Sequence, residues 1–157
     1  MVVKSKVSVW LLSFVLLWTG AASGQTAAPD AFADCPALPA ETAQLLRWEV
    51  LRVPNMLLCR ALRTDDGSEA FALTISPESP FKPRRGDRAE VSNLNGRTLQ
   101  WYRGELPNEP NVQIRETLIE VRKNLVIHIF MRAKDAETLA QHQQFVLSLP
   151  IPPPADN

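Results

Sequence analysis

The chain has 157 residues, with 17 basic and 17 acidic side chains, 13 prolines, 6 glycines, 2 cysteines and 2 histidines. That length carries one domain, and the balanced charge removes the broad electrostatic attraction on which a nucleic-acid binder relies. So few glycines, histidines and cysteines also disfavour phosphate-cradling loops and metal cages.

Lys4 and Lys6 precede an uncharged stretch from Val7 to Thr19, followed by the small residues Gly20, Ala21, Ala22, Ser23 and Gly24. This tripartite order is that of a secretory signal peptide over residues 1–24, with cleavage expected after Gly24 or, as alternatives, after Ala27 or Ala28. An uncleaved anchor is the competing reading, but the apolar section would span about 20 Å as a helix against a hydrocarbon core of about 30 Å. The expected product is periplasmic or secreted, with no stable membrane insertion after cleavage. It carries 15 basic and 17 acidic groups, a net charge of about −2.

Export sets the reading of the cysteines. Cys35 and Cys59 are the only pair, and in a thiol-oxidising compartment they are expected to form one bridge. Closing that ring contributes about 3 to 4 kcal/mol in the chain-entropy treatment and staples the start of the domain to the strand carrying Cys59.

Residues 25–34 are small and polar and are expected to form a flexible leader. The domain is expected over residues 35–149, ahead of a proline-rich tail at 150–157 where neither helix nor central strand can continue. Pro39 to Leu46 suggests a short N-terminal helical turn. Strands are expected over Trp48 to Val53, Met56 to Arg63 and Glu69 to Ile75, the last two joined by a hairpin through Asp66-Gly67. Phe71, Leu73 and Ile75 alternate with Ala70, Ala72 and Thr74, which marks a core face. Residues 76–88, with three prolines and a glycine, read as an irregular excursion.

Ala89 to Leu94 and Arg97 to Glu105 flank Asn95-Gly96, a strong hairpin signal, with Leu99 and Trp101 facing one way and Gln100 and Tyr102 the other. Residues 105–111 form another turn. Val112 to Val121 and Leu125 to Arg132 are expected to pair around Arg122-Lys123-Asn124. The second of these strands has scarcely a polar side, which suggests a central strand covered on both faces. Lys134 to Leu149 has helical periodicity, with Leu139, Val146 and Leu149 on one side. The expected fold class is therefore α+β: an antiparallel β-sheet of about six to seven strands, a C-terminal helix packed on one face and a short N-terminal helical turn.

The order of elements, with Trp101-Tyr102-Arg103, Arg115-Glu116-Thr117, Ala136-Glu137 and the closing Phe145-Val146-Leu147-Ser148-Leu149, resembles the Mog/PsbP-like superfamily, including its DcrB-related bacterial branch, over residues 48 to 149. The resemblance implies a non-enzymatic adaptor or binding domain and transfers no catalytic residue.

The residues themselves assemble no catalytic set. His128 lies in the most apolar strand and could share a face with Glu116 and Glu120, an arrangement that an acid–base or metal site could use; a solvated strand face is the commoner use of such spacing. His142 reads as a partly exposed helix residue, and Asp65-Asp66 as a turn pair. No cofactor and no metal ligand set is expected. The sharpest charge feature is Lys82-Pro83-Arg84-Arg85-Gly86-Asp87-Arg88, where proline stiffens a loop carrying four cations. With Tyr102 and Arg103, these residues (Lys82, Arg84, Arg85, Arg88) form the expected binding set, for a protein partner in the cell envelope. An inhibitor, immunity or accessory role follows, acting through residues 76–88, residues 105–111 and a polar strand face. A carrier of a small apolar or anionic ligand held between sheet and helix is the alternative, and a hydrolase or metal-dependent enzyme using His128 comes third.

Overall fold

The computed structural model describes residues 33–153. The expected signal peptide, nearly all of the leader and the end of the tail lie outside the described residues. Seven strands form one antiparallel sheet: β1 (Leu46–Val53), β2 (Met56–Arg63), β3 (Glu69–Ser76), β4 (Arg88–Leu94), β5 (Arg97–Gly104), β6 (Gln113–Arg122) and β7 (Leu125–Ala133). Their spatial order is β1-β2-β3-β7-β6-β5-β4. A single helical turn, α1 (Thr42–Leu45), precedes the sheet, and α2 (Ala136–Leu147) follows it. The architecture is the expected sheet with a C-terminal helix, weighted strongly toward β structure.

Asparagine makes three of the hairpins. Asn55, Asn95 and Asn124 hold φ of 62°, 50° and 59°, the left-handed region that asparagine tolerates better than other side chains. Pro54-Asn55 therefore turns the chain directly from β1 into β2, with Val53 opposite Met56, so Pro54 begins a tight turn as well as halting a strand. At the last hairpin Arg122 still pairs with Leu125; the turn is Lys123-Asn124, one residue shorter than expected.

Alternation sorts the strands into two faces. Leu57, Cys59 and Ala61 of β2, Phe71, Leu73 and Ile75 of β3, Ile127, Ile129 and Met131 of β7, Ile119 of β6, and Leu99 and Trp101 of β5 are buried on one face. Each such aliphatic side chain contributes about 1.5 to 3 kcal/mol by leaving water. Helix α2 lies on this face against β7, β3 and β4, through Leu139, His142 and Val146. Its N-cap Asp135 accepts from the Thr138 amide at 2.7 Å, a bond that holds the Asp135 carboxyl below its usual range. His142 is 4% exposed, so the partly exposed helix residue expected from the sequence is in fact core. The cause is the helical period: His142 stands three residues after Leu139 and four before Val146, in the middle of the buried stripe.

One helix about 10 to 12 Å across cannot cover seven strands spaced about 4.8 Å apart. The chain ends cover the remainder of this face. Cys35 and Leu38 pack against the core beside Trp48, whose indole Nε1 donates to the Pro36 carbonyl at 2.8 Å. Cys35 and Cys59 are disulfide-bonded with Cα atoms 5.8 Å apart, so the segment entering the domain is stapled to β2. Arg52 donates to the Ala33 carbonyl at 2.6 Å and pairs with Asp34, tying down the last two leader residues. At the other side Ile151 is buried, and Asn95 Nδ2 donates to the carbonyls of Leu149 at 3.0 Å and Ile151 at 2.8 Å. Packing thus continues two residues past the boundary placed at Leu149.

Among the described residues, no helix covers the opposite face. β7 is the central strand, yet Val126, His128 and Phe130 on that side are only half-buried. The expectation of full cover on both faces is corrected: among the described residues, one face is packed and the other is crossed by a single loop segment.

Candidate functional site

The crossing segment follows from topology. Four antiparallel steps separate β3 from β4 in the sheet, so the two run in the same direction. Residues 77–87 must therefore travel from the end of β3 near the sheet centre to the start of the edge strand β4. They are nearly all irregular, closing with a 3-10 turn at Arg85–Asp87. Pro77, Pro80 and Pro83 limit their freedom. Ser79 is buried and its hydroxyl accepts from the Phe81 amide at 3.1 Å.

Phe81 fastens the segment to the uncovered face. Its ring stacks on His128 with centroids 4.9 Å apart and meets Tyr102 edge-on at 5.8 Å, favourable aromatic geometries. His128 Nε2 and Glu116 Oε2 are 2.8 Å apart, with side chains 16% and 21% exposed. Glu116, on β6, stands diagonally from His128, whose direct neighbour is Leu118. The expected sharing of a face by His128 and Glu116 is thus present as a contact. Glu120 lies further along the same face, opposite Val126, and is exposed. Gly104 makes room for this group, because a Cβ there would lie 2.6 Å from Ile114 Cγ2 and 3.0 Å from Glu116 Oε1. The pair braces β6 against β7 and holds Phe81 by stacking.

Beside this brace lies a cleft of about 700 Å³. It is lined by Phe81, Lys82, Arg84 and Asp87 of the crossing segment, by Arg103 and Glu105 around the end of β5, and by Val112 to Glu116 around the start of β6. Three of the six expected binding residues, Lys82, Arg84 and Arg103, therefore line one concavity although they come from separate parts of the chain. Arg85 is exposed in the 3-10 turn outside the lining. Arg88 begins β4 and stands opposite Tyr102, and Tyr102 reaches the cleft only through Phe81.

Charges in this region divide into committed and uncommitted groups. Arg115 Nε donates to both Glu90 oxygens, at 2.9 and 3.0 Å, and Gln143 of α2 donates to the same carboxylate. Burial alone would raise the Glu90 carboxyl, but its own backbone amide, Arg115 and Gln143 all donate to it and bring it below the usual range. Glu90 can reach the helix side because Ala89 and Glu90 together stand opposite Trp101, a bulge between Arg88 and Val91. Gln100 Nε2 binds the carbonyls of Ala89 and Glu90 at 3.3 and 3.2 Å. Simple alternation missed this bulge; the only trace in the sequence is an amide-bearing side chain across from an otherwise regular strand. By contrast, among the described residues no carboxylate lies within 4 Å of Lys82, Arg84, Arg85, Arg88 or Arg103.

A second, larger cleft of about 790 Å³ opens beside the β2–β3 hairpin, lined by Arg60, Arg63, Glu69, Glu109, Arg132 and His142 among others. Its arginines are engaged. Arg60 donates to Glu69 at 2.6 Å and also pairs with Glu49, Arg63 is bound by Asp65 at 3.0 Å, and Arg132 lies 3.8 Å from Glu109. Asp65 is thus more than a turn residue: it holds Arg63, whose hydrogen bond keeps its carboxyl below the usual range. The expected contact loop 105–111 divides the two clefts, giving Glu105 to one and Glu109 to the other. The space between helix and sheet is filled by Leu73, Ile127, Ile129 and Val146, each fully buried.

Among the described residues, no group of three or more His, Cys, Asp or Glu side chains could hold a metal ion, and no helix is long and apolar enough to cross a membrane. No protein-family model, no curated protein and no solved structure matches the chain.

Proposed function

We propose that this chain is an exported, non-catalytic binding domain whose partner is another protein of the cell envelope, and that it works as an inhibitor, immunity or accessory protein. The observation that carries this reading is the meeting of residues 81–87 with residues 103–116 around one open cleft, lined by Arg84 and Arg103, neither of which has an ion pair among the described residues. A disulfide that staples the start of the domain supports a thiol-oxidising compartment. The Mog/PsbP-like resemblance, which implies an adaptor, points the same way. A rigid sheet carrying a proline-stiffened, aromatic-anchored loop suits protein recognition, since little ordering entropy is lost when the partner docks. Aromatic and arginine side chains are also the groups that dominate such contacts.

Site-specific photocrosslinking in the native cell envelope tests the reading. A benzoylphenylalanine placed at Arg85, beside the cleft, is expected to yield one discrete adduct, and the same probe at Gln144 on the outer side of α2 none. Identical adduct patterns from both positions, or none from either, would remove the cleft as the contact.

A further inference from the structure

We infer that the partner segment received by this cleft is acidic, an extended stretch of protein presenting carboxylates on either side of an apolar side chain; the inference rests on the binding reading above and names the chemistry of its partner.

The argument is one of commitment. Of the charged groups that line the cleft, Glu116 is already occupied by His128 and Arg115 by Glu90. The cations on the crossing segment and the end of β5 are not. Lys82 donates to the Ser79 carbonyl at 3.4 Å, and among the described residues neither it nor Arg84, Arg85, Arg88 or Arg103 has an ion pair. Only Asp87 and Glu105 stand uncommitted against them at the cleft. Three open cations, Lys82, Arg84 and Arg103, against two open carboxylates leave the cleft with a positive excess that favours an incoming anion.

Three observations narrow that anion to protein carboxylates. Arg84 on the crossing segment and Arg103 on β5 reach the cleft from two separate elements, so they suit two separate carboxylates, each of which a guanidinium can receive through paired N–H groups. Asp87 and Glu105 at the cleft repel a compact dianion such as phosphate more than they repel singly charged groups spread along a chain. Phe81 and Val112, both half-buried, line the same cleft and offer an apolar seat. The larger cleft provides the contrast, because its arginines are neutralised by Glu49, Asp65, Glu69 and Glu109.

The test uses the oxidised protein and two short synthetic peptides with glycine-serine flanks, one carrying Glu-Leu-Glu and the other Lys-Leu-Lys at its centre. The acidic peptide is expected to shift the amide resonances of residues 81–87, 103–105 and 113–116, and to bind at least about tenfold more tightly than the basic one. Arg84→Glu with Arg103→Glu is expected to weaken it about tenfold, Arg84→Gln with Arg103→Gln by less, and Arg132→Glu at the larger cleft to leave it unchanged. Equal affinity for the two peptides, no binding of either, shifts confined to other residues, or an undiminished affinity in the double variants would overturn the inference. So would stronger displacement of the peptide by inorganic polyphosphate or by phosphatidylglycerol vesicles than by unlabelled acidic peptide. If an Arg85 adduct forms in the envelope while the acidic peptide fails, only the acidic chemistry falls; if no adduct forms, the cleft itself is lost as the contact.

Discussion

The two faces of the sheet are built from the same strands but do different work. On the helix side, β2, β3 and β7 present unbroken apolar rows, and α2, the disulfide-stapled entry segment and Ile151 close over them. On the other side, among the described residues, the row running from Leu51 through Leu58, Thr74 and His128 to Leu118 is covered where Phe81 stacks on the imidazole. The first face supplies stability through burial, and the second keeps exposed apolar and charged groups in fixed positions. Burial is thereby concentrated on one side of the layer, so changes on the uncovered side should cost little stability.

The largest effect expected from this division is a contrast within one pair of neighbouring strands. Leu73→Ala, at a fully buried position on the helix side, should lower unfolding free energy by about 2 to 5 kcal/mol, because transfer and cavity costs add. Leu58→Ala, half-buried on the opposite face of adjacent β2, should cost less than about 1.5 kcal/mol, in keeping with a site that keeps access to water. Urea denaturation of the two variants measures both, and similar losses would mean that the two faces are not energetically distinct. A somewhat smaller effect, about 3 kcal/mol, is expected from replacing Cys35 and Cys59 together by serine, since the unfolded chain regains the freedom of the open ring. That loss should vanish when the unmodified protein is measured in reductant.

The packed face was the legible one. Alternation in Phe71, Leu73 and Ile75, the Asn95-Gly96 turn and the stripe of α2 each carry their own local signal, and all appear where those signals place them. Strand order was not legible, because nothing local says that β3 joins β7 rather than β4; that pairing is what sends residues 77–87 across the sheet. The cationic loop announced itself by composition, but its meeting with Arg103 depends on that long-range pairing. The role of Phe81 was missed for the same reason, since a lone phenylalanine between two prolines has no periodic pattern to reveal its partner. His142 was misread although its spacing was available: polarity was weighed above position in the helical stripe.

That misreading yields the last and smallest expected effect. His142 is enclosed beneath α2, its Nδ1 has no hydrogen-bond partner among the described residues, and burial, aided by the charge of Arg63, pushes its pKa below the ordinary value of 6.5. A hydrogen bond to the Arg132 backbone and the charge of Asp135 oppose that shift without cancelling it. The folded protein therefore holds a neutral imidazole where the unfolded chain would take up a proton. Above about pH 6.5 neither state is protonated at this residue and the site is indifferent to pH. As pH falls through that value the unfolded state gains a proton first, and stability declines until the folded-state pKa is passed. His142→Leu should remove this part of the acid sensitivity while keeping the buried stripe apolar, whereas His128→Gln, on the uncovered face, should leave it in place. Unfolding free energies of the three proteins between pH 5 and 8 decide the matter: a slope retained by the leucine variant would place the titrating group elsewhere, and a slope lost in the glutamine variant would place it on the face crossed by the loop.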